Sequence, residues 1–524
     1  MAISRKSSKK VKGERRKACL YGTKANRSLL PFCWLTTQLP NSHPTPSLSS
    51  PPLIVEVPEA SNSLESMKKK EINNTNNEHH FKNSSNKTAV KSVDDGGRPI
   101  TVGSEEEEEI AMKAIEEQLR EQRSWINNNN NNGGAAACGG RGIYVYELPA
   151  KFNKELVEQC GEMVPWMDFC KYFSNEGLGE PIPELGKGWF NTHQYALEPI
   201  FHSRVYKQEE AKLFYVPYYG GLDILRWHFK NNVTNAIKDS LGLELIQWLS
   251  AQKPWAQNSG KDHVFVLGKI SWDFRRNANG NNGNNPSWGT KFLELDQLQN
   301  PIKLLIERQP WHQNDVGIPH PTFFHPHSDD EVFAWQWKAI RSERKYLVGF
   351  AGGARPDSSE NIRSVLIDHC ATAEDGRLCR HVNCTTGDCD HPKVVIELFL
   401  ESEFCLQPPG DSPTRKSVFD SLISGCIPVF FDPFTAYYQY PWHLPEDYDK
   451  YSVMIDKKEL KRSGENVVKK LEGISLEKRE EMRSYIVYEL MPGLVYGDSN
   501  NVIERFQDAS HIAINNLLQR VSML

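Results

Sequence analysis

Residues 404–433 read FCLQPPGDSPTRKSVFDSLISGCIPVFFDP, and this stretch decides the fold class. A short apolar run predicts a strand, a Pro-Pro-Gly turn follows, and Ser412 with Pro413 is typical of a helix cap and first helical position. The helix has one apolar face, and Gly425 is placed to end it in the left-handed conformation. A second buried strand is predicted over residues 427–431. Strand, loop, helix and strand in this order form the unit of a parallel α/β sheet, which binds ligands at the carboxyl ends of its strands.

The loop of this unit predicts a site for an anion. The first N–H groups and the positive dipole end of the helix point into the loop, and Arg415 and Lys416 add positive charge beside them. Asp420, further along the helix, can accept hydrogen bonds from sugar hydroxyls, as acidic residues do toward ribose in nucleotide folds. Together these features indicate a nucleotide-sugar. A second interpretation stays open, in which Ser412 only caps, Arg415 pairs with a surface carboxylate and Asp420 is solvated.

The two ends of the 524-residue chain differ in composition. Residues 1–140 are polar and of low complexity, with an acidic run over residues 105–109 and an asparagine run over residues 127–132. The remainder is rich in Trp, Tyr and Phe, so only this part is expected to bury a core, and its size suits two α/β domains with a cleft between them. The net charge of −5 gives no electrostatic case for nucleic acid as a partner.

The N terminus has the charge of a cytosolic tail, with eight Lys or Arg among the first 17 residues. The most apolar piece nearby, residues 29–35, is interrupted by Pro31 and is far shorter than the roughly 20 residues that span a bilayer. Either the chain is soluble or an anchor is missing from this sequence, and a plain disordered basic tail is an equal alternative. Residues 105–125 have apolar residues at near-helical spacing, which predicts a stalk helix.

The eleven cysteines leave at least one unpaired if the others pair. Cys160 and Cys170 are predicted to form a short-loop disulfide. Four more lie in a polar loop with His381 and His391, where disulfides are favoured over a zinc site because tight CxxC pairs are missing. These four are Cys370, Cys379, Cys384 and Cys389. Luminal glycosylation is permitted by Asn-x-Ser/Thr sequons that include Asn73, Asn83, Asn86, Asn232 and Asn383.

Polar residues follow two of the three strands predicted at the start of the core-forming part, over residues 142–148, 212–218 and 263–269. Asp223 follows the second strand and Asp273 the third, where α/β proteins carry active-site loops. For Asp223 a structural and a catalytic role are equally compatible with the sequence.

A helical rhythm over residues 189–204 brings His193, Gln194 and Glu198 near one another. A hydrogen-bonded structural histidine and a catalytic histidine both remain open for His193, with the structural one favoured. Aromatic faces that could stack on sugar rings follow, with burial in a core as the alternative. They belong to Trp311, His312, Trp335 and Trp337.

A second domain is predicted to begin with a strand over residues 346–351, which runs into the sequence GGARP. Arg355 lies on the loop after this strand and is placed to reach the same anion as Arg415. Residues 452–455 extend the sheet, and residues 500–521 are expected to form a closing helix. The Asn/Gly run over residues 277–285 is an insertion without core-forming side chains.

Four motifs in fixed order carry a resemblance to a known family: FYVPYYGGLDI, KISWDFRR, FAGGARPDSSENIRSVLIDHC and FCLQPPGDSPTRKSVFDSLISGCIPVFFDPFTAYYQYPWHLP. They resemble the exostosin-type glycosyltransferases, and among these the plant xyloglucan galactosyltransferase branch. The resemblance implies two Rossmann-like domains facing across a cleft (GT-B type), after a disordered stem. The expected domains are residues 1–140 for tail and stem, 141–340 for the acceptor domain, and 341–524 for the nucleotide-sugar domain with its closing helix.

The resemblance also implies an activity. Members are inverting, metal-independent transferases anchored in the Golgi as type II membrane proteins, and this branch moves galactose from UDP-galactose to xylosyl side chains of xyloglucan. It implies no cofactor beyond this donor, and other Golgi glycosyltransferases as further partners. The membrane segment of the family is not visible in this chain. Carried over by position, the donor-binding residues are Arg355, Gly410, Asp411, Ser412, Thr414, Arg415 and Asp420.

The mechanism implied is one in-line displacement at the anomeric carbon, with a base from the N-terminal domain. Asp223 is the first expectation for this base, with His193 and Asp273 in reserve. Charge on the leaving diphosphate is expected to be stabilised by Arg415, Arg355 and the helix start, without a metal. Two alternatives remain: a related transferase that uses another donor such as UDP-galacturonic acid, and a catalytically inactive glycan-binding partner.

Overall fold

The structure, a computed structural model, describes residues 105–126, 142–205, 211–276, 288–354, 362–373, 378–499 and 503–524. It also places two short antiparallel ladders near the N terminus, Ala18–Cys19 with Cys33–Trp34 and Ser92–Val93 with Pro99–Ile100. Several predicted features lie outside the described residues: Arg355, residues 127–132, residues 277–285, and the sequons at Asn73, Asn83 and Asn86.

The first half of the molecule is built on a five-stranded parallel sheet whose strands lie side by side in chain order. Its strands are β1 (Gly142–Val145), β2 (Ala211–Val216), β3 (His263–Ile270), β4 (Ile302–Glu307) and β5 (Asp315–Gly317). The helices up to β5 are α1 (Glu105–Ser124), α2 (Lys154–Glu158), α3 (Leu197–Arg204), α4 (Gly220–His228), α5 (Asn235–Ser250) and α6 (Lys253–Asn258). Strands β3 and β4 are buried almost throughout, as expected for a parallel sheet covered by helices. The three strands predicted here are confirmed.

The second half is built on another five-stranded parallel sheet, reached through α7 (Asp329–Arg341). Its strands are β6 (Tyr346–Gly352), β7 (Cys379–Asn383), β8 (Ser402–Gln407), β9 (Ile427–Phe430) and β10 (Val453–Met454), in the spatial order β7-β6-β8-β9-β10. Its helices are α8 (Arg363–Ala371), α9 (Pro392–Leu400), α10 (Lys416–Ile423), α11 (Lys457–Ser463), α12 (Val467–Glu472) and α13 (Leu476–Tyr485). The predicted α/β fold with two parallel sheets is therefore confirmed.

The last helix, α14 (Ala509–Ser522), returns to the first half. Its buried residues Ala513, Ile514 and Leu517 belong to the same apolar core as β2, β3 and β4. Asp508 caps the helix and also pairs with the buried Arg204 of α3 at 2.7 Å. The chain therefore closes on its N-terminal sheet after completing the second one.

Helix α1 forms as predicted, but it packs against the protein instead of standing away as a stalk. Ile115 and Leu119 are buried on one face, and Gln122 has no exposed surface. The Gln122 amide donates to the backbone carbonyls of Gln313 and Asp315 at 2.8 and 2.9 Å, and its side-chain oxygen accepts from the Arg308 guanidinium at 2.6 Å. Its backbone carbonyl accepts from the Trp442 indole N–H at 2.9 Å, so α1 contacts both halves.

Two helix starts predicted from sequence are wrong. Helix α10 begins at Lys416, after an extended Arg415, and not at Ser412 and Pro413. In the region of residues 189–204, only Leu197–Arg204 is α-helical, because Trp189 and Phe190 form β-bridges with Phe324 and Pro181. Gly425 does end α10 in the left-handed region, with φ of +66°.

The structure describes four disulfides. Cys160–Cys170 was predicted; Cys370–Cys379 and Cys384–Cys389 join the four cysteines for which disulfides were favoured without a pairing; the fourth is Cys405–Cys426. The last was not predicted, and it joins β8 to the residue that precedes β9. Across the described residues no cluster of His, Cys, Asp or Glu is arranged to hold a metal ion. Among the helices described, none combines the length and hydropathy needed to cross a bilayer.

Candidate active site

The strand order of the second sheet marks a topological switch point between β6 and β8. From β6 the chain crosses to β7 on one side, whereas from β8 it crosses to β9 on the other. Two connections that leave neighbouring strands in opposite directions open a crevice at their carboxyl ends, which is where such sheets bind ligands. The β8–α10 loop, residues 408–415, lies at this point and contains most of the predicted donor-binding residues.

Arg415 joins the two strands at the switch point. Its guanidinium donates to the carbonyl of Pro408, just after β8, at 3.1 Å and to the carbonyl of Ala351, in β6, at 3.2 Å. Arg363 approaches the loop from α8 and donates to the Pro409 carbonyl at 3.1 Å. A side chain on Gly410 would come within 2.9 Å of the Arg363 guanidinium, so the glycine permits this close approach. Two guanidinium groups therefore contact the loop, that of Arg415, which the sequence predicted, and that of Arg363, which it did not.

Thr414 of the β8–α10 loop is held by a carboxylate of the first half. Its N–H and its hydroxyl donate to Oε2 of Glu307, at the end of β4, at 2.9 and 2.5 Å. Residues 412–415 stay outside helix α10, and Thr414 is bound to the first half at this point. Burial raises the pKa of Glu307, and hydrogen bonds from Thr414 and Ser412 oppose this rise. The sequence did not single out Glu307, although it ends a buried strand as predicted active-site residues do.

Asp420 does not face the β8–α10 loop as a vacant acceptor. Both of its carboxylate oxygens accept from Lys416, one turn earlier in α10, at 3.0 and 2.8 Å. Burial raises the pKa of Asp420, while the charge of Lys416 lowers it. The Lys416 ammonium also lies 3.0 Å from the centroid of the Phe323 ring. The predicted contact of Asp420 with a ribose therefore requires that this ion pair be shared or opened.

Asp223, the first expectation for a base, has its partners inside the first half. Its carboxylate pairs with Arg226 at 2.5 Å and accepts from the Tyr218 hydroxyl at 2.5 Å. The charged groups that act on it, Arg226 and Asp239, belong to α4 and α5. Burial raises its pKa. The structure does not bring Asp223 together with the β8–α10 loop, and its contacts favour the structural role that the sequence left open.

Asp273 follows β3 and is bound by residues of the first half. Its carboxylate pairs with Lys269 at 2.7 Å and accepts from the Trp288 indole N–H at 2.5 Å. Its negative charge acts on Glu307, whose carboxylate holds the β8–α10 loop. Of the predicted acidic residues of the first half, Asp273 is therefore the one whose charge acts on the residue that binds the β8–α10 loop.

His193 lies where the two halves approach each other, between the positive charges of Lys416 and Lys269. Its Nδ1 accepts the backbone N–H of Tyr195 at 3.2 Å. Burial, followed by these two charges, lowers the pKa of His193 to about 3, so the ring is neutral near pH 7. Because Nδ1 is an acceptor, the proton of the neutral ring is on Nε2. Nε2 can donate a hydrogen bond but cannot remove a proton, which argues against His193 as the base.

The predicted aromatic faces divide into buried and surface residues. Trp335 is buried and donates from its indole to the carbonyl of Ile423, so the core interpretation holds for it. Trp337 is 58% exposed on α7, with the Arg341 guanidinium 3.6 Å from its ring centroid. Trp311 packs beside Trp272, with ring centroids 6.3 Å apart.

Comparison with known proteins places these features in a family. The Exostosin GT47 domain matches residues 137–471. The chain is 57% identical to "Xyloglucan-specific galacturonosyltransferase 1" of Arabidopsis thaliana, over 74% of this chain and 58% of that protein. It is 56% identical to "Probable xyloglucan galactosyltransferase GT20" over 74% of this chain and 68% of that one, and 39% identical to "Xyloglucan galactosyltransferase MUR3" over 74% and 63%, both also of Arabidopsis thaliana. The chain thus spans less than two thirds of the length of the first of these relatives.

Proposed function

The chain belongs to the exostosin GT47 family, and we propose that it transfers a galactose-type sugar from a UDP-sugar to xylosyl side chains of xyloglucan, in the synthesis of the plant cell wall. The observation that carries the proposal is Arg415, which joins β6 and β8 at the switch point of the second sheet. A diphosphate bound there would meet two guanidinium groups and the N-terminal end of α10.

UDP-galactose is the donor that we put first, and UDP-galacturonic acid is the second candidate. The second is favoured by the 57% identity to a relative named as a galacturonosyltransferase. The two donors differ at C6, where galacturonic acid carries a carboxylate that needs a cationic partner.

The reaction proposed is a single displacement with inversion. The acceptor hydroxyl oxygen forms the new bond to the anomeric carbon while the bond from that carbon to the diphosphate oxygen breaks, and UDP leaves with the electron pair. Arg415 and Arg363 stabilise the charge that grows on the diphosphate. We place the base at Asp273 instead of Asp223, because the charge of Asp273 acts on Glu307, the residue that binds Thr414 of the second half. In this scheme His193 donates from Nε2 to a substrate oxygen, and neither a metal nor a further cofactor takes part.

We also propose that the enzyme works in the Golgi lumen, as a type II membrane protein whose partners include other Golgi glycosyltransferases. The four described disulfides support an oxidising compartment. Asn232, in a sequon on the surface of the first half, is exposed and accessible to glycosylation.

The test is a panel of donors and acceptors with the purified full chain. UDP-galactose, UDP-galacturonic acid and UDP-glucose are each offered with xyloglucan oligosaccharides and with unsubstituted cello-oligosaccharides. Transfer from the first donor to xyloglucan alone is expected. Hydrolysis or transfer with no preference for xylosylated acceptors would overturn the proposed acceptor, and binding of xyloglucan without turnover of any donor would favour the inactive glycan-binding alternative.

A further inference from the structure

Two large aromatic side chains are exposed together on the surface of the first half. Trp166 is 66% exposed and Phe229 is 37% exposed, and their ring centroids are 4.6 Å apart. Trp166 lies in the disulfide-closed loop between Cys160 and Cys170, which restrains its backbone. Exposed apolar rings held in place in this way are typical of binding surfaces.

The pair is the outer end of a chain of ring contacts. Phe229 packs on His228 with centroids 4.1 Å apart, and His228 packs edge-on against Trp288 at 3.6 Å. His228 and Trp288 are both half-exposed. A shallow pocket lined by Trp227, His228 and Trp288 opens beside them.

The same chain continues inward to the candidate active site. The Trp288 indole binds Asp273, and the Lys269 ammonium lies 5.7 Å from the Trp288 ring and 4.3 Å from the Tyr195 ring. Tyr195 in turn packs on His193 with centroids 4.7 Å apart. The rings of Trp166, Phe229, His228, Trp288 and Tyr195, here called the aromatic track, thus connect an exposed surface to the residue proposed as the base.

We propose that the aromatic track is the binding site for the acceptor backbone, and that its ligand is a neutral β-glucan chain carrying the xylosyl units. Sugar rings present C–H faces that pack on aromatic faces, and the track carries such faces at its exposed end. The track ends at Asp273, so a glucan lying on it would present a side-chain hydroxyl to the proposed base. This inference rests on the proposed function, and it adds where the acceptor lies and how far it extends.

Length dependence of acceptor binding tests the track. Trp166, at the outer end, should contact only long acceptors. In the full chain, Trp166→Ala is expected to weaken binding of a long xyloglucan oligosaccharide about tenfold, a factor equal to roughly 1.4 kcal/mol. Its affinity for an oligosaccharide of one xylosylated unit, and for UDP, should stay unchanged. Calorimetric titration without donor measures all three, and Phe229→Ala is expected to act in the same direction.

The matched control is Trp337→Ala, which removes a tryptophan of similar exposure on α7, outside the track. Melting temperatures verify folding of all variants. If Trp166→Ala binds the long oligosaccharide as tightly as the wild type, or if Trp337→Ala loses as much, the track is overturned. If the wild type does not bind xyloglucan, the proposed acceptor fails, and the same variants are titrated with long cello-oligosaccharides. A tenfold loss confined to the track variants would then support the site, and no loss would reject it.

Discussion

The two sheets have the same number of parallel strands but differ in strand order, and their carboxyl edges differ accordingly. The first sheet keeps chain order and has no switch point, and its edge carries charged groups that pair with one another, as Asp273 does with Lys269. The second sheet reverses direction at β6, and the loop at this point presents guanidinium and N–H groups. One edge therefore suits an anionic donor, and the other suits a neutral acceptor and a base.

Side chains of both halves join the two edges. Glu307 reaches from the first edge to Thr414 on the second, and α1 lies across both halves through Gln122. The predictions below separate these connections from the chemistry of each edge.

The largest effect is expected from removing α1. A chain of residues 141–524 loses the burial of Ile115, Leu119 and Trp125 and leaves Arg308 without its Gln122 acceptor. At about 1.5–3 kcal/mol for each large side chain, the loss is on the order of 5 kcal/mol. Urea unfolding of this chain should show a much lower midpoint than the full-length protein. The control is a chain of residues 105–524, which keeps α1 and should have the same urea midpoint as the full chain. Equal midpoints for the full chain, residues 105–524 and residues 141–524 would show that α1 does not stabilise the fold.

The second effect concerns only the edge of the second sheet. Arg415→Ala removes the guanidinium at the switch point. The expected loss of transition-state stabilisation is about 2–4 kcal/mol, as for other anion-hole groups, and turnover should fall accordingly. Steady-state kinetics with saturating acceptor measures the loss, and the melting temperature should change far less. Arg341→Ala, on the surface of α7, is the matched arginine control. Wild-type turnover in Arg415→Ala would remove the assignment of the diphosphate site.

The connection between the edges is tested at Glu307. Glu307→Ala leaves the N–H and hydroxyl of Thr414 without their acceptor, a cost of about 1–3 kcal/mol that should appear as a raised KM for the donor. Glu307→Gln keeps an acceptor oxygen, so its free-energy cost, measured through KM for the donor, should be less than half that of Glu307→Ala. Should the glutamine variant fold normally and yet lose kcat as severely as the alanine variant, the carboxylate would be needed for chemistry, contrary to a positioning role.

The difference between the edges also explains what the sequence could predict. The strand, loop, helix and strand around residues 404–433 are local in sequence, so Arg415 and the left-handed Gly425 were found from pattern alone. The sequence placed the start of α10 too early, and it did not show that Thr414, just before the helix, is bound by Glu307, 107 residues earlier in the chain. No local pattern carries such a contact.

The contacts of the candidate bases were hidden from the sequence for a related reason. Asp223 and Asp273 both follow a strand. Asp223 pairs with Arg226 in its own helix, whereas Asp273 meets the Trp288 indole and acts on Glu307 only through the tertiary fold. The buried face of α1 was likewise hidden, because its partners lie near residues 308–315 and at Trp442. The fold class and the loop proposed to bind the diphosphate are thus encoded locally, whereas the arrangement between the halves is not.

A smaller effect is expected from acid, because several buried histidines are neutral in the folded protein. The pKa is lowered to about 3 for His193 and His320 and to about 4 for His325, from 6.5 in the unfolded chain, chiefly by burial. Below pH 6.5 the unfolded state binds protons that the folded state does not, so stability is fully present above pH 6.5 and decreases as pH falls toward 4. Glu198, whose pKa burial raises to about 8, acts in the opposite sense, since its contribution is lost as pH rises from 4.5 to 8.

Melting temperatures from pH 4 to 8 test both effects, the loss of stability in acid from the histidines and the loss with rising pH from Glu198. In His193→Gln the melting temperature should decrease less between pH 6.5 and pH 4 than in the wild type. Glu198→Gln should be more favourable relative to the wild type at pH 8 than at pH 5. Replacing the exposed His391 by glutamine is the control and should leave the profile unchanged. A His193→Gln profile as steep as that of the wild type would show that this ring does not titrate on unfolding as argued.

The smallest change is expected from a chelator, and it tests whether the edge of the second sheet is sufficient for the leaving group. If Arg415, Arg363 and the start of α10 carry the charge stabilisation, EDTA should leave turnover within about twofold, because a metal-bridged diphosphate would lose orders of magnitude. The measurement is initial rate with the proposed donor before and after dialysis against EDTA. Arg415→Ala is assayed with and without Mn²⁺, because a metal that merely replaces lost positive charge would rescue this variant and leave the wild type unaffected. Strong inhibition of the wild type that Mn²⁺ reverses would mean that the two guanidinium groups position the diphosphate without balancing its charge.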